Sequence, residues 1–571
     1  MKRKIIMICV LTAMLVLLAM LTSCSMEEPT VEITDLRSTR EEIFFDISVT
    51  DPDGVAQITS IELWREDKIV RTAESLDVRK FQNLYNNTDY TVKVVYTYDI
   101  DDGEGKVTKT VSSDIKTTNG FSSREDVRTD WSGKTLNIAC SIWSSEPSAP
   151  WSVMELCVKE GEESGFGVKI DKAVLERQKY IKDTYGVELN WINATRWSMH
   201  DAMEAAMLAG NINYDLALPR MMRAQQMVAG GYVYDLKDRE YIDFSNTYYS
   251  KNSVETYTAK GHTFFVSGDF TTLDKETAFV LYFNKAVLGG EQETDDLYQK
   301  VRDGKWTWSE LVTLASAAYK DNGDGIRGDN DIYGLSHTSV SRFYEYFGIR
   351  QAGVDESTGE WKIAINDPRV DSVIDAIIQV NTANWCRTGW GGCWDTSINV
   401  LRDDLLLFYN EILGNMSHYV EYGDIGVVPF PMLNEEQDSY YVPCAYQQSV
   451  LMCVPKITQD RNMSDYFLDV LAWTGNEYVM KAYIAQKAEQ FTADEDIEMI
   501  TEYILPNILY DAGGAVGWGE LIGGVKGASY NANKNNFAEA YAEKEPNALE
   551  TIAKWNTAWG GYTEDLPQVG Q

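Results

Sequence analysis

The chain has little histidine and little positive charge. Four of its 571 residues are His, and 51 Lys and Arg stand against 87 Asp and Glu, which gives a formal charge of −36. No HExxH spacing occurs, so the usual sequence of a catalytic zinc site is missing. Because nucleic acids are bound mainly through their phosphates, the excess of acidic residues argues against nucleic acid as a partner.

Other catalytic and metal-binding signatures are missing as well. The eight cysteines form no CxxC pair, so a structural zinc site or a redox pair lacks its usual sequence. Residues 334–338 lack the final glycine of a nucleophile elbow. Acidic pairs such as Asp403 and Asp404 are common in so acidic a chain, and we interpret them as solvated surface. We therefore expect no catalytic residues and no enzymatic activity.

The chain is long and rich in aromatic residues. A single hydrophobic core stops growing at about 250–300 residues, so the length predicts several domains. The composition includes 33 Tyr and 16 Trp. So many rings favour surfaces that stack on a flat, uncharged ligand.

The N-terminus has the layout of a secretory signal. Lys2, Arg3 and Lys4 precede an apolar run that ends shortly before Cys24. The last four residues of this segment, 21–24, resemble the lipobox of bacterial lipoproteins. That resemblance implies a signal peptide over residues 1–23, lipid on Cys24, and a protein anchored at the extracellular face of the bacterial cell membrane. The alternative is an uncleaved anchor with an incidental cysteine.

Residues 25–118 predict an antiparallel β-sandwich. Apolar residues alternate with polar ones over residues 43–49, apart from Phe44, and over residues 90–98, with a turn at residues 101–103. The segment Leu84–Tyr90 resembles the tyrosine corner of fibronectin type III domains. Such domains act as spacers or adhesion modules, and nothing in this one suggests chemistry.

After a polar linker at residues 117–123 the pattern changes to alternating strands and helices. We predict strands at 136–140, 187–191 and 214–218, a helix from Asp171 to Gly186, and a second helix from Ser198 to Gly210. This order of elements predicts a parallel sheet covered by helices, within an α/β fold. Ligands of such sheets bind at the carboxyl ends of the strands.

The α/β part resembles the extracellular solute-binding proteins of the ABC-transporter family, in the sugar-binding group. The stretches that carry the resemblance are Asp215–Leu218, Gly230–Leu236, Leu281–Lys285, Trp306–Leu311, Asp424–Pro431 and Cys453–Pro455. The resemblance implies that residues 119–571 form a two-lobed, type II periplasmic-binding-protein-like fold. It further implies capture of a small-molecule carbohydrate for the permease subunits of an ABC importer, and we expect a monomer.

Seven residues are the predicted ligand-binding site. Sugar rings stack on aromatic side chains through their C–H faces, while their hydroxyls need charged or amide partners. Residues of both kinds follow predicted strands or occupy glycine-rich and cleft-loop segments. They are Trp143, Arg220, Asp269, Trp390, Trp394, Tyr446 and Trp518. A structural role in the core is the alternative for each of them.

Residues 320–331 resemble an EF-hand-like calcium loop. Asn322, Asp324 and Asp331 would supply the oxygen ligands, and Gly325 the turn. Lys320 occupies the first ligand position, so a plain glycine- and aspartate-rich turn is the competing interpretation. Calcium is the only cofactor that the sequence suggests.

The cysteines of the mature chain leave two possibilities open. They are Cys140, Cys157, Cys386, Cys393, Cys444 and Cys453. An even number permits disulfides, but the spacing does not give the pairing, and buried free thiols fit equally well.

The function that the sequence favours is a lipid-anchored receptor that captures a neutral solute, an oligosaccharide, without chemistry at the site. Two alternatives stay open. One is a secreted glycan-degrading lipoprotein, which would need two carboxylates roughly 5–10 Å apart across a cleft. The other is an adhesion or sensory lipoprotein that does not take part in transport.

Overall fold

The computed structural model describes residues 28–565 with gaps, and these residues divide into two compact units between Gly120 and Phe121. The predicted signal peptide and Cys24 lie outside the described residues. Within 28–565, the positions that also lie outside are 40–41, 53, 66–67, 74, 83, 85–87, 100–105, 118–119, 143–157, 159–166, 196–198, 210–213, 338–339, 388–399, 419–423, 492 and 515–533.

The first unit is an antiparallel β-sandwich. Its strands are β1 Thr30–Ser38, β2 Ile43–Thr50, β3 Gln57–Arg65, β4 Lys68–Thr72, β5 Lys80–Phe81, β6 Asp89–Asp99 and β7 Lys106–Lys116. They form two sheets, in the orders β1-β2-β5 and β4-β3-β6-β7. The alternation in β6 buries Tyr90, Val92 and Val94, whereas Thr91 and Lys93 lie outside the core. This is the all-β region predicted from the period-two pattern.

The second unit mixes strands and helices. Its strands are β8 Thr135–Ile142, β9 Glu188–Thr195, β10 Leu216–Leu218, β11 Thr258–Ala259, β12 His262–Thr263, β13 Phe279–Asn284, β14 Tyr333–His337, β15 Ala352–Val354, β16 Trp361–Ile363, β17 Cys386–Arg387, β18 Leu406–Ile412, β19 Ile425–Val428, β20 Val442–Pro443 and β21 Ile508–Leu509.

The helices of this unit surround its sheets. They are α1 Val168–Tyr185, α2 Met199–Leu208, α3 Ala224–Ala229, α4 Lys251–Thr256, α5 Leu273–Glu276, α6 Lys285–Leu288, α7 Glu291–Arg302, α8 Trp308–Ala318, α9 Phe343–Tyr346, α10 Val370–Thr382, α11 Arg461–Thr474, α12 Lys481–Gln490, α13 Asp494–Glu498 and α14 Phe537–Gly560. Short 3₁₀ turns cover Met221–Arg223, Val340–Arg342, Leu413–His418 and Leu505–Asn507, and π-helical turns cover Gly475–Met480 and Met499–Ile504.

The first lobe contains the predicted parallel sheet. Strands β8, β9 and β10 are parallel in the order β10-β8-β9, and α1 connects the first two. Helix α1 ends where predicted, at Gly186, whose φ of 69° places it in the left-handed region that glycine adopts without strain. It begins at Val168, ahead of the predicted N-cap Asp171, which lies in the first turn.

This sheet is extended by a segment that returns from the second lobe. Ala217 and Arg220 bridge antiparallel to Cys453 and Val450, and Met452 bridges antiparallel to Val266 on its other side. The returning segment therefore lies between β10 and the chain around Val266. The strands of the first-lobe sheet therefore lie in the order β9, β8, β10, returning segment, chain around Val266. Numbered along the chain, these are the second, first and third strands of the lobe, the returning segment, and the fourth strand.

The sheet of the second lobe repeats this arrangement. Its order is β17-β14-β18-β13-β19, in which β14 is parallel to β17 and β18, while β13 is antiparallel to β18 and β19. Strand β13 comes directly from the first lobe. Each lobe thus receives one antiparallel strand from the chain leaving the other lobe. The predicted α/β fold of two lobes joined by crossing strands is confirmed.

Helix α14 contacts both lobes. Its Trp559 donates a hydrogen bond to Gln225 of α3 at 2.9 Å. Its Trp555 lies edge-on to Trp361 of β16, with ring centres 5.6 Å apart. The hydrophobic clusters of the unit are almost fully buried. Among the described helices, none has the length and apolarity needed to cross a membrane.

Candidate functional site

The carboxyl-terminal edges of both sheets lie at the crossing segments. Strand β13 begins beside Ala278, which bridges to Cys444, so the edge at which β14 and β18 end faces this crossing. The returning segment begins at Val450, opposite Arg220 at the end of β10. Both strand edges therefore face the same crossing segments. We call these segments the hinge (residues 272–279, 444–450 and 508–513) and the region between the two strand edges the cleft.

Two hydrogen bonds hold the first lobe to the hinge. Met221 donates its N–H to the carbonyl oxygen of Ser449 at 2.9 Å, and Met222 donates to that of Tyr446 at 3.2 Å. Arg220, at the start of this contact, is 1% exposed. The predicted site residues Arg220 and Tyr446, distant in sequence, lie at the same crossing.

Arg342 connects the second lobe to the hinge. It ends the 3₁₀ turn that follows β14, and its guanidinium carbon lies 4.7 Å from the ring centre of Tyr446 and 5.0 Å from that of Phe279. Its nearest carboxylate belongs to Glu345, at 3.7 Å. The Arg342 side chain is 13% exposed. The second lobe thus places a cation on two aromatic rings of the hinge, which suits a ligand with hydrogen-bond acceptors.

Asp269 follows the fourth strand of the first lobe and lies beside the hinge. Its carboxylate accepts a hydrogen bond from Asn476 at 2.8 Å and pairs with Lys275 at 3.3 Å. Burial raises the pKa of Asp269, and the charge of Lys275 opposes that rise. The Asp269 carbonyl packs on Gly475, where an added Cβ would lie 1.9 Å from the oxygen. Lys275 and Asn476 thus hold this carboxylate in place.

Buried charges elsewhere in the hinge are paired. Asp274 contacts Lys275 at 3.2 Å, and Glu276 contacts Lys487 of α12 at 2.9 Å. The hydroxyls of Thr277 and Ser449 share a hydrogen bond of 2.6 Å between the two crossing segments. These contacts fix the floor of the cleft while leaving the strand-end side chains on either side of it.

The predicted tryptophans of the site lie outside the described residues. They are Trp143, Trp390, Trp394 and Trp518. The described residues just before them lie at the cleft edge: β8 ends at Ile142, β17 ends at Arg387, and an added Cβ at Gly514 would lie 3.4 Å from the Tyr446 ring. The three segments that contain these tryptophans therefore begin at the end of β8, at the end of β17 and at the hinge.

The predicted calcium loop closes on its own backbone. The Asp331 carboxylate, which is 0% exposed, accepts the N–H of Asn322 and that of Gly328, each at 3.0 Å. The Asn322 side chain donates to Asp324 at 3.2 Å. Across the described part of the chain, no three His, Cys, Asp or Glu side chains gather as a metal-binding group. The acidic oxygens are thus already used by the turn, and calcium stays a proposal.

The described cysteines are buried thiols. They are Cys140, Cys386, Cys444 and Cys453, whereas Cys157 and Cys393 lie outside the described residues. Burial raises the pKa of Cys386 and of Cys444 to about 12. Because the thiolate is the reactive form, these two side chains pack as small apolar groups and are poor nucleophiles.

The sequence reasoning missed Arg342, Phe279 and Glu345. No motif marks them, because Arg342 lies in a three-residue 3₁₀ turn, Glu345 in the four-residue helix α9, and Phe279 in an apolar strand. The one signal in the sequence that could have identified Arg342 is its position just after a strand. Arg342 follows a strand end in the same way as Arg220, which the strand-end rule did select.

Comparisons with known proteins give loose structural likeness. No protein-family model and no curated protein matches the chain. Similar solved structures include an ABC substrate-binding protein from Listeria monocytogenes in complex with cycloalternan, a maltose/maltodextrin-binding domain from Bdellovibrio bacteriovorus bound to maltotriose, and an ABC transporter solute-binding protein from Thermotoga lettingae bound with α-D-tagatose.

The three matches are similar in sequence identity, coverage and TM-score. Sequence identities are 11, 11 and 14%, and the matches cover 74, 73 and 74% of this chain and 99, 100 and 100% of the other chains. The TM-scores are 0.44, 0.45 and 0.43. Structural similarities this low carry no information about the function of this chain.

Proposed function

We propose that the chain is a carbohydrate-binding receptor of an ABC importer, which binds its solute in the cleft and performs no chemistry on it. The observation that carries the proposal is the exchange of strands between the lobes. Each sheet takes an antiparallel strand from the other lobe, so the described segments that cross between the lobes meet at the hinge. We propose that these segments bend when the lobes close. Side chains at the two strand edges then meet on closure.

The residues at the hinge suit a sugar. Tyr446 from the floor and Arg342 from the second lobe provide an aromatic ring and guanidinium donors, and we assign Arg220 of the first lobe to the site from its sequence position. Sugar hydroxyls accept hydrogen bonds from guanidinium donors, and the apolar face of a sugar ring stacks on aromatic side chains. We assign Trp143, Trp390, Trp394 and Trp518 to the same task from their sequence positions, with Asp269 as a further acceptor.

Binding and closure are coupled in this proposal. A solute that contacts both lobes favours the closed form by the free energy of the contacts made only when the cleft is shut. A solute that touches one lobe shifts nothing. The contact of Tyr446 with Met222 of the first lobe and with Arg342 of the second makes this residue the natural point of coupling.

The remaining parts serve presentation at the membrane. We propose that residues 1–23 are removed, that Cys24 carries lipid, and that residues 25–118 form a fibronectin type III-like spacer before the monomeric receptor of residues 119–571. Cys24→Ser should then leave an unprocessed precursor or release the protein into the medium. A Cys24→Ser protein that fractionates with the membrane like wild type would exclude lipid anchoring.

A glycan panel tests the proposed function. Thermal unfolding of the mature protein is followed with each glycan, since a ligand at 100 times its Kd adds about 2.7 kcal/mol of stability. At least one oligosaccharide should raise the melting temperature and be recovered unchanged. Recovery of shortened glycans would favour the hydrolase alternative, and a response to peptides alone would exclude a carbohydrate.

A further inference from the structure

The first residues of the second unit pack along helix α11. We call residues 121–128 the entry segment. The ring of Phe121 lies edge-on to that of Tyr466, with ring centres 5.9 Å apart, and the N–H of Arg128 donates to the Tyr466 hydroxyl at 2.9 Å. Ser123, between these two contacts, is 0% exposed. The chain therefore enters the second unit along this helix.

Asp469 of α11 joins the entry segment to two neighbouring tyrosines. One of its carboxylate oxygens accepts the N–H and the hydroxyl of Ser123, at 2.8 and 2.7 Å. The other oxygen accepts the hydroxyls of Tyr248 and Tyr249, at 2.8 and 2.9 Å. Asp469 is fully buried, so these four donors replace the water that its carboxylate loses on folding.

Tyr248 also holds the backbone of Asp269. The carbonyl oxygen of Tyr248 accepts the Asp269 N–H at 2.8 Å. The two segments are in close contact here, since a Cβ added at Gly268 would lie 2.6 Å from the same oxygen. Hydrogen-bonded residues therefore connect the entry segment to Asp269 by way of Asp469 and Tyr248.

A second connection reaches the Asp269 carboxylate from the end of α11. The π-helical turn that follows this helix contains Asn476 and Glu477. Asn476 donates to one Asp269 oxygen at 2.8 Å, and Glu477 pairs with Arg124 of the entry segment at 3.6 Å. Lys275 contacts the other Asp269 oxygen at 3.3 Å. Because a carboxylate accepts about four hydrogen bonds, Asp269 keeps acceptor capacity for a solute.

We infer, on the basis of the proposed function, that docking of the entry segment on α11 positions Asp269 for the solute. Ser123, Asp469 and Asn476 are positioning residues, which act through the Asp269 carboxylate rather than by contact with the solute. An acceptor that is held in place before binding loses less affinity to ordering. Solute affinity therefore depends on a segment that lies, in sequence, between the sandwich and the α/β unit.

Hydrogen exchange of the ligand-free mature protein tests the positioning itself. The Asp269 N–H donates to Tyr248, so its exchange rate reports on that contact. Ser123→Ala removes one hydrogen bond to Asp469 and should speed exchange at residues 267–271 by about 2- to 10-fold. Unchanged exchange at these residues in a folded Ser123→Ala protein would overturn the inference.

Asn190→Ala is the matched control. It removes an exposed side-chain hydrogen bond of 2.7 Å to Asn137, which lies toward the amino end of β8 and away from the strand end at the cleft. Exchange at residues 267–271 should therefore equal that of wild type. A similar increase in this control would mean that any lost surface contact loosens the first lobe. Melting temperatures show whether each variant is folded.

Calorimetry with maltotriose, cellotriose and mannotriose measures the effect on binding. Ser123→Ala and Asn476→Ala should each lower the affinity for a bound trisaccharide by about 2- to 30-fold, whereas Asn190→Ala should bind like wild type. In an Asp269→Ala background neither change should have a further effect, because the residue through which they act is gone. A purely stabilising role predicts lower melting temperatures with equal affinities.

The outcomes separate the inference from the proposed function. Normal affinity in folded Ser123→Ala and Asn476→Ala proteins, or losses that persist in the Asp269→Ala background, would overturn the inference and leave the receptor standing. If Ser123→Ala does not fold, Asn476→Ala decides by the same cycle, since its side chain is exposed. A wild type that binds none of the three sugars contradicts the proposed function, and hydrogen exchange still decides whether the entry segment positions Asp269.

Discussion

The guanidinium carbon of Arg342 lies 4.7 Å from the ring centre of Tyr446, whose carbonyl oxygen accepts the N–H of Met222 at 3.2 Å. One residue of the hinge thus contacts a strand-end residue from each lobe. Such contacts couple the two lobes, because moving either lobe changes the surroundings of the same residue: its carbonyl oxygen on one side and its ring on the other.

Replacing the Tyr446 ring should weaken binding more than folding. Tyr446→Ala should lower solute affinity by about 10- to 100-fold, since a central aromatic contact is lost. The ring is only half-buried, so the variant should remain folded. Tyr446→Phe keeps the ring and serves as the matched control, with near wild-type affinity expected. Calorimetry and melting curves for both would contradict this role if Tyr446→Ala bound normally.

Breaking the buried hinge pair should destabilise the protein strongly. Glu276 and Lys487 have side chains 8 and 2% exposed, with their charged atoms 2.9 Å apart. Removing one partner leaves a buried charge without compensation, so Glu276→Gln or Lys487→Met should each cost about 3–5 kcal/mol in the free energy of unfolding.

The double variant is the control for that pair. Glu276→Gln with Lys487→Met should cost less than the two single changes added together, because neither charge is then left alone. Urea unfolding of the four proteins measures the coupling. Strict additivity would mean that the pair contributes nothing beyond the separate packing of its two side chains.

Glu411 should make stability depend on pH. It is buried in β18, and its carboxylate accepts only the N–H of Ile412 at 2.8 Å and the hydroxyl of Tyr409 at 3.1 Å among the described residues. Burial raises its pKa to about 7. The unfolded value is about 4.3, so between these values the folded protein holds the proton more tightly and stability falls as the pH rises.

Glu411→Gln removes this titration while keeping the side-chain shape. Between about pH 4 and about pH 8, the unfolding free energy of wild type should fall relative to that of the variant by about 3 kcal/mol. Urea unfolding at each pH measures the difference. A constant difference would show that the carboxyl titrates alike in both states.

The calcium proposal has a simple thermal test. If the loop of Asn322, Asp324 and Asp331 holds an ion, chelator should lower the melting temperature, added calcium should restore it, and Asp331→Asn should abolish the response. Because the Asp331 oxygens already accept two backbone N–H groups, the variant also reports on the turn. Identical wild-type curves with chelator and with calcium would leave a plain turn.

Local patterns predicted the elements that depend on neighbouring residues. The alternation from Tyr90 to Tyr98 marks β6, and Gly186 ends α1 because the helix there needs a left-handed residue. The predicted start of α1 at Asp171 is wrong by a few residues, since Asp171 resembles an N-cap although the helix begins at Val168 and Asp171 lies in its first turn. Such end effects depend on packing that a single residue does not reveal.

Long-range pairing could not be predicted from the residues alone. The antiparallel contact of Ala217 with Cys453 joins parts of the chain that no local pattern relates, and the strand exchange depends on it. The sequence selects Arg220 and Tyr446 on separate grounds, and only that pairing brings them to the same crossing. Arg342 was missed for the same reason, since its neighbours Phe279 and Tyr446 come from two other segments.

The most direct test of the central claim is small-angle X-ray scattering of the mature protein across a calorimetric titration with its tightest-binding oligosaccharide. The account predicts that a carbohydrate binds with saturation and that the radius of gyration decreases in step with occupancy, as the two lobes close. A glycan panel without a single saturable ligand, or a saturated complex whose radius of gyration equals that of the free protein, would contradict it.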